Sequence, residues 1–170
     1  MSIPYPAKAV ANWFIRRSLK ESNPVTLMKL LKLVYIAHGW HLAIVDKPLI
    51  RDRVEAWMYG PVIPELYHEF KRYGILPIQE LATDYEPIFD GKRLIDAKLV
   101  TPKIPNDDTR TRNCLKRVWE VYKGFTAIQL SNLTHEAGTP WDSVFNNADA
   151  NKSEIDDEAI KAYYLRRLNS

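Results

Sequence analysis

The residues of this chain best suited to chemistry are few: four histidines (His38, His41, His68, His135) and one cysteine, Cys114. Two of the histidines stand three residues apart in the apolar stretch Ile36 to Ala43, IAHGWHLA. On a helix, imidazoles at i and i+3 can reach one ion, so zinc is the first chemistry to weigh. A structural zinc site takes four ligands, and a catalytic one takes three plus water. No second cluster completes the set, because His68 and His135 are isolated and Cys114 has no companion at ligand spacing. The expectation is a packed pair whose ring nitrogens find Glu, Tyr or backbone partners, with no metal and no cofactor.

Other catalytic arrangements are equally thin. Cys114 with His135 has the residue types of a dyad, yet Cys114 opens an ordinary amphipathic pattern with nothing local to activate its thiol. Glu55, Glu65 and Glu69 are acid/base candidates by type, while Glu65 and Glu69 at i, i+4 read more simply as solvated charge. A phosphate-binding glycine loop, G-x-S-x-G and H-E-x-x-H are all absent. TAIQLSNLTHEAGTPW offers a capped helix and a turn, but no Arg, Lys, Asn or Gln face follows closely enough to read DNA. The five tryptophans, Trp13, Trp40, Trp57, Trp119 and Trp141, are expected in or at the edge of the core, with an exposed binding surface as the alternative for Trp40 and Trp57.

The elements that position these residues follow from periodicity. Ala7, Val10, Ala11, Phe14 and Ile15 recur at helical intervals, with Lys8, Asn12, Arg16 and Lys20 turned elsewhere. Either Asn23 with Pro24 or Thr26 caps a second helix, Leu27 to about Val45, that is apolar nearly all round and therefore central. On it His38 and His41 fall near the middle of the broad apolar face, and only Lys29 and Lys32 mark a strip toward water. Ile50 to Tyr59 changes to a period of two, which suits an extended segment ended by Gly60-Pro61. Pro64 opens a short helix with Leu66, Tyr67, Phe70 and Tyr73 inward and Gly74 as its stop.

Asp90-Gly91 between short apolar runs is a hairpin signal, and Thr101 to Asn113 reads as a mobile loop. Leu115, Val118, Trp119 and Tyr122 form another apolar stripe. Thr126 and Gln129 offer a capping box for AIQLSNLTHE. Asp156 is the expected N-cap of a last helix, with Ile155 and Ile160 as its hydrophobic staple, Asp157 and Glu158 in the first turn and Arg166-Arg167 in the last.

At 170 residues and 46% hydrophobic, the chain is expected to form one domain, 1–170, burying roughly two-thirds of the surface its unfolded form exposes. The expected class is mainly α, with about five to seven helices and a minor hairpin or small sheet. A net charge of +3, with its basic pairs scattered, is weak ground for a nucleic-acid surface. One cysteine excludes an internal disulfide. Without a signal peptide or an apolar run near ~20 residues, the expected location is cytoplasmic, not membrane. Two N-x-S/T triplets, at Asn132 and Asn151, are chance matches in that setting.

Three stretches carry a resemblance: LMKLLKLVYIAHGWHLA (27–43), PLIRDRVEAWMYGPVIPELYHEFKRYG (48–74) and LSNLTHEAGTPW (130–141). They resemble the Panacea-domain family of SocA-like antitoxins, often associated with prophages and adjacent toxin genes. The resemblance covers most of the chain and is weaker between Ile75 and Asn113, with EAWMYGPVIPELY its most specific part. The matching residues are His38 (where the family commonly has glutamine), Gly39, Trp40, His41, Glu55, Ala56, Trp57, Tyr59, Gly60, Pro61, Glu65, Leu66, Tyr67, Thr134, His135, Pro140 and Trp141, each a scaffold or partner-binding residue.

A glutamine at position 38 would not preserve a metal ligand. The resemblance implies a non-enzymatic antitoxin that binds and blocks a cognate protein toxin, encoded beside it in the usual family arrangement. The rival expectations are a small metal-dependent or hydrolytic enzyme using His38 and His41, and a DNA-binding regulator.

Overall fold

The computed structural model describes residues 2–147 and 153–170, and Asn151 lies outside them. The described residues form seven α-helices and two small antiparallel sheets of two strands each. In order, these are α1 (Ala7–Lys20), α2 (Leu27–Val45), β1 (Glu55–Trp57), β2 (Gly60–Val62), α3 (Pro64–Phe70), β3 (Asp84–Asp90), β4 (Arg93–Val100), α4 (Thr109–Tyr122), α5 (Ala127–His135), α6 (Pro140–Phe145) and α7 (Asp157–Leu168). The mainly helical class with minor sheet is the one the sequence implies. No helix among the described residues is long and apolar enough to cross a membrane.

α2 is the axis of the fold. Thr26 caps it by accepting from the Lys29 amide, and Asp46 ends it in the left-handed region at φ 62°. A helix apolar nearly all round must be covered on several sides. α2 packs most extensively on α7, and also on α5, α4, α1, α3 and β2. The lysines that mark a water-facing strip on a wheel are in fact covered. Lys29 Nζ donates to the Lys123 carbonyl at 2.6 Å. Lys32 is 1% exposed, and its Nζ donates to the Pro61 carbonyl at 2.9 Å. The exposed positions of α2 are instead the apolar Met28 and Ile44.

α1 departs from its wheel in the same way, because Lys8 and Asn12 are buried. Asn12 accepts from the Ala82 amide and donates to the carbonyls of Ala82 and Pro102, all within 3.0 Å. One side chain thereby ties both ends of the β3–β4 segment to α1. Lys8 reinforces this anchor, donating to the Thr83 carbonyl at 3.0 Å and lying 3.4 Å from Glu69 and 3.8 Å from Glu65. Glu69 therefore works as an anchor, whereas Glu65 stays exposed.

The β3–β4 hairpin turns at Gly91 (φ 58°) and Lys92, one residue later than the Asp90-Gly91 signal implies, and stands out into solvent along nearly its whole length. Its pairing places Tyr85, Pro87 and Phe89 beside Leu99, Ala97 and Leu94, an uncharged apolar face. The other face carries the cross-strand pairs Glu86 with Lys98 and Asp90 with Arg93.

The segment expected to be a mobile loop is pinned. Ile104 is buried, and Asp108 both caps α4 through the Thr111 amide and accepts from the Tyr5 hydroxyl. α4 thus begins at Thr109, inside that segment. The extended stretch also runs further than expected, since Gly60 and Pro61 do not end it. They begin β2 after a tight reversal at Met58 and Tyr59, pairing Trp57 with Gly60. α5 has its full capping box, and α7 has Asp156 as N-cap over buried Ile155 and Ile160. α6 is a short helix absent from the sequence reading, capped by Thr139 with Pro140 in its first turn.

Candidate functional site

The family-matching residues separate into two groups in space. The first surrounds the histidine pair. His38 is 1% and His41 0% exposed. His38 Nδ1 faces the Leu49 and Ile50 amides at 3.3 and 3.4 Å, and amides only donate, so the ring hydrogen sits on Nε2 and points to Asp157 at 2.8 Å. His41 donates from Nδ1 to the Lys47 carbonyl at 2.7 Å, leaving Nε2 to accept from Thr111 at 3.3 Å. Burial lowers the His41 pKa below its ordinary value, with the neighbouring His38 adding to the effect.

All four ring nitrogens are thus committed to fastening the loop after α2, the start of α4 and the first turn of α7 onto α2. No group of His, Cys, Asp and Glu among the described residues has the makings of a metal site. Replacing His41 with alanine is expected to cost about 1–3 kcal/mol of stability, because the Lys47 carbonyl loses its buried donor. Untagged wild-type protein is expected to carry no stoichiometric metal. Denaturant melts and elemental analysis check the two expectations together.

The dyad candidates are not brought together. Cys114 borders an apolar hollow with Trp40, Ile44 and Val121, and burial pushes its thiol up to about 11. His135 instead sits edge-on to Trp141 at 5.2 Å and beside Ser131. His68 is exposed on α3. Glu55 accepts from Trp57 Nε1 at 2.7 Å and pairs with Arg53 at 3.1 Å. For DNA, the helix after the α5 turn is the six-residue PWDSVF, which has no cationic side chain to offer phosphates or bases.

The second group converges on the β1–β2 hairpin. Trp57 sits edge-on to Tyr67 at 4.9 Å, and Trp141 donates from Nε1 to the Trp57 carbonyl at 2.6 Å. Ser131 donates to the Tyr59 carbonyl at 2.6 Å, and Pro61 receives Lys32 from below. Gly60, at φ 113°, turns its missing side chain toward Lys32: a Cβ there would lie 2.9 Å from Nζ and 3.3 Å from Thr134 Oγ1. Gly60 and Thr134 are therefore shaped around the buried ammonium. Two backbone anchors and a packed lysine hold the Met58-Tyr59 tip outward, with the two residues 67% and 66% exposed.

Beside that tip lies an open apolar groove of about 650 Å³, walled by the start of α2, the hairpin, the end of α3 and the start of α5. Met28, Leu31, Met58, Tyr59, Ile75 and Ile128 line it, and Lys32 stands among them. Trp57, Tyr59 and Tyr67 of the motif also border it, while the rest of this lining eluded sequence reasoning. The available signal was WMYG, which puts two bulky apolar residues at the exposed tip of a tight turn.

The model of the family described as Antitoxin SocA-like, Panacea domain, matches residues 30–142. A relative named Antitoxin SocA, from Caulobacter vibrioides (strain NA1000 / CB15N), is 31% identical over 158 residues, covering 91% of this chain and 80% of the relative. No solved structure matches the chain. The matched span contains α2 from Leu30, both hairpins and Trp141, so most of the groove wall and of the histidine fastening lies inside it. By that match and that identity, the chain belongs to the Panacea-domain family of SocA-like antitoxins.

Proposed function

We propose that the protein is the antitoxin of a toxin–antitoxin pair, and that it neutralises a cognate protein toxin by binding it directly, without turnover, in the cytoplasm. The observation that carries this reading is the open apolar groove beside the Met58-Tyr59 tip in a member of an antitoxin family. Grooves walled by exposed apolar and aromatic side chains are surfaces on which proteins commonly bind partners. A groove of this kind can cover a toxin's active site or substrate surface, and inhibition then follows mass action, set by affinity and dose. The non-enzymatic reading is supported by His38 and His41, whose ring nitrogens are all used to fasten the fold.

The test is co-expression with each neighbouring open reading frame, scoring growth and co-purification together. Growth arrest by one neighbour, relieved by this chain in a stable complex, is the expected result. Failure of every neighbour to be toxic or to bind would defeat the proposal.

A further inference from the structure

We infer that the groove takes an apolar segment of the toxin carrying one Asp or Glu side chain, whose carboxylate pairs with Lys32 at the groove floor. This rests on the antitoxin reading and specifies its contact. Lys32 is 1% exposed, yet its ammonium has one acceptor among the described residues, the Pro61 carbonyl, and forms no ion pair there. An ammonium has three donors and is costly to bury without a counter-charge. Gly60 packs closely beside it, since even a Cβ there would lie 2.9 Å from Nζ.

The groove walls are otherwise apolar and uncharged. A single carboxylate framed by apolar side chains therefore complements this site in charge and in surface, whereas a phosphate would call for several donors. Both methionines other than Met1, Met28 and Met58, lie on the groove wall. Methionine side chains repack around varied apolar shapes, which suits a peptide segment better than one rigid small molecule.

The experiment compares wild type with Lys32→Met, Met58→Asp, Ile128→Asp and a control, Ile44→Asp. Met58 and Ile128 are 67% and 69% exposed, and Ile44, away from the groove, is 53% exposed, so all three aspartates are compatible with folding. Lys32→Met keeps the shape and removes the charge, and thermal melts verify each fold. Affinity for the co-purified partner is measured by calorimetry. Lys32→Met, Met58→Asp and Ile128→Asp are each expected to weaken the complex at least ~tenfold, about 1.4 kcal/mol, with Ile44→Asp unchanged. Acid-to-amide scanning of the partner is expected to find one substitution that matches the Lys32→Met loss and adds nothing to it.

Wild-type affinity in folded Met58→Asp and Ile128→Asp overturns the groove while leaving the antitoxin reading intact. Wild-type affinity in Lys32→Met overturns the carboxylate. No complex with any neighbour defeats the antitoxin reading itself, and titration with decanoate against decanol then judges the site alone. Preference for decanoate, abolished by Lys32→Met, upholds a carboxylate site, and equal binding overturns it.

Discussion

Replacing Gly39 by alanine is expected to cost at least ~3 kcal/mol and to loosen α7 from the rest of the protein. By helix propensity alone the change should help, since glycine inside a helix is about 0.5–1 kcal/mol worse than alanine. The tertiary contact reverses the sign. A Cβ at Gly39 would lie 2.7 Å from Tyr164 Cζ and closer still to Cε2 and Cδ2. That ring is not a flexible tip free to swing aside. Tyr164 is 4% exposed and packs edge-on against Trp40 at 5.0 Å and against Tyr35 and Tyr163.

α7 must therefore shift as a body. It takes with it the Asp157 contact to His38 and the buried Ile160. Denaturant unfolding gives the size of the loss, and hydrogen exchange should show amides of α7 opening first. Tyr164→Leu should make Gly39→Ala cheaper than the sum of the two single changes, because it removes the colliding ring. Gly39→Ala within ~1 kcal/mol of wild type would refute the argument.

The glycine of IAHGWHLA thus explains the octet better than its histidines do. Read along the sequence, His38 and His41 suggest ligand spacing, and Gly39 is merely the residue between them. In space, Gly39 admits α7 and the histidines fasten the segments around it. Elements whose signals are local were legible: the Thr126 and Gln129 box, the Asp156 cap with its Ile155 and Ile160 staple, and the Gly91 turn all formed where their residue types require. What escaped was decided by distant groups.

Lys32 reads as solvent-facing on a wheel because the Pro61 carbonyl, 29 residues away, is invisible there. Thr101 to Asn113 reads as a loop because the hydroxyl that fixes Asp108 belongs to Tyr5, 103 residues earlier. α6 is only six residues long, and its Trp141 is held by a carbonyl 84 residues before it. The motif words likewise name Trp57, Tyr59, Gly60, Thr134 and Trp141, but their convergence around one exposed tip is a tertiary fact. The groove wall draws Met28, Ile75 and Ile128 from outside most of those words.

Stability is expected to rise by about 2 kcal/mol from pH 7 to 8.5, and Lys32→Met is expected to remove most of that rise. Burial draws the Lys32 pKa down to about 7, from an ordinary value of 10.5. Between those values the unfolded chain holds a proton that the folded chain does not, so unfolding takes up a proton and becomes harder as pH rises. One proton corresponds to at most about 1.4 kcal/mol per pH unit. The groups around Nζ do not offset this: β2 presents the Pro61 carbonyl and Gly60, and α5 presents the Thr134 hydroxyl. Lys29, lowered in the same direction by burial, adds a smaller part.

Two other groups bound the window. His41 is lowered by burial, so stability falls on acidification through its unfolded pKa near 6.5, and measurements from pH 7 upward exclude that loss. Cys114 is raised to about 11 from 9.0, so it favours the folded state least at the alkaline end, and stopping at 8.5 excludes most of that decline. Urea titrations at four pH values on wild type and Lys32→Met make the comparison. A flat wild-type profile would mean that the ammonium is solvated in the groove, whereas a slope largely lost in Lys32→Met means that the folded protein buries a lysine that has a carbonyl partner but no counter-charge.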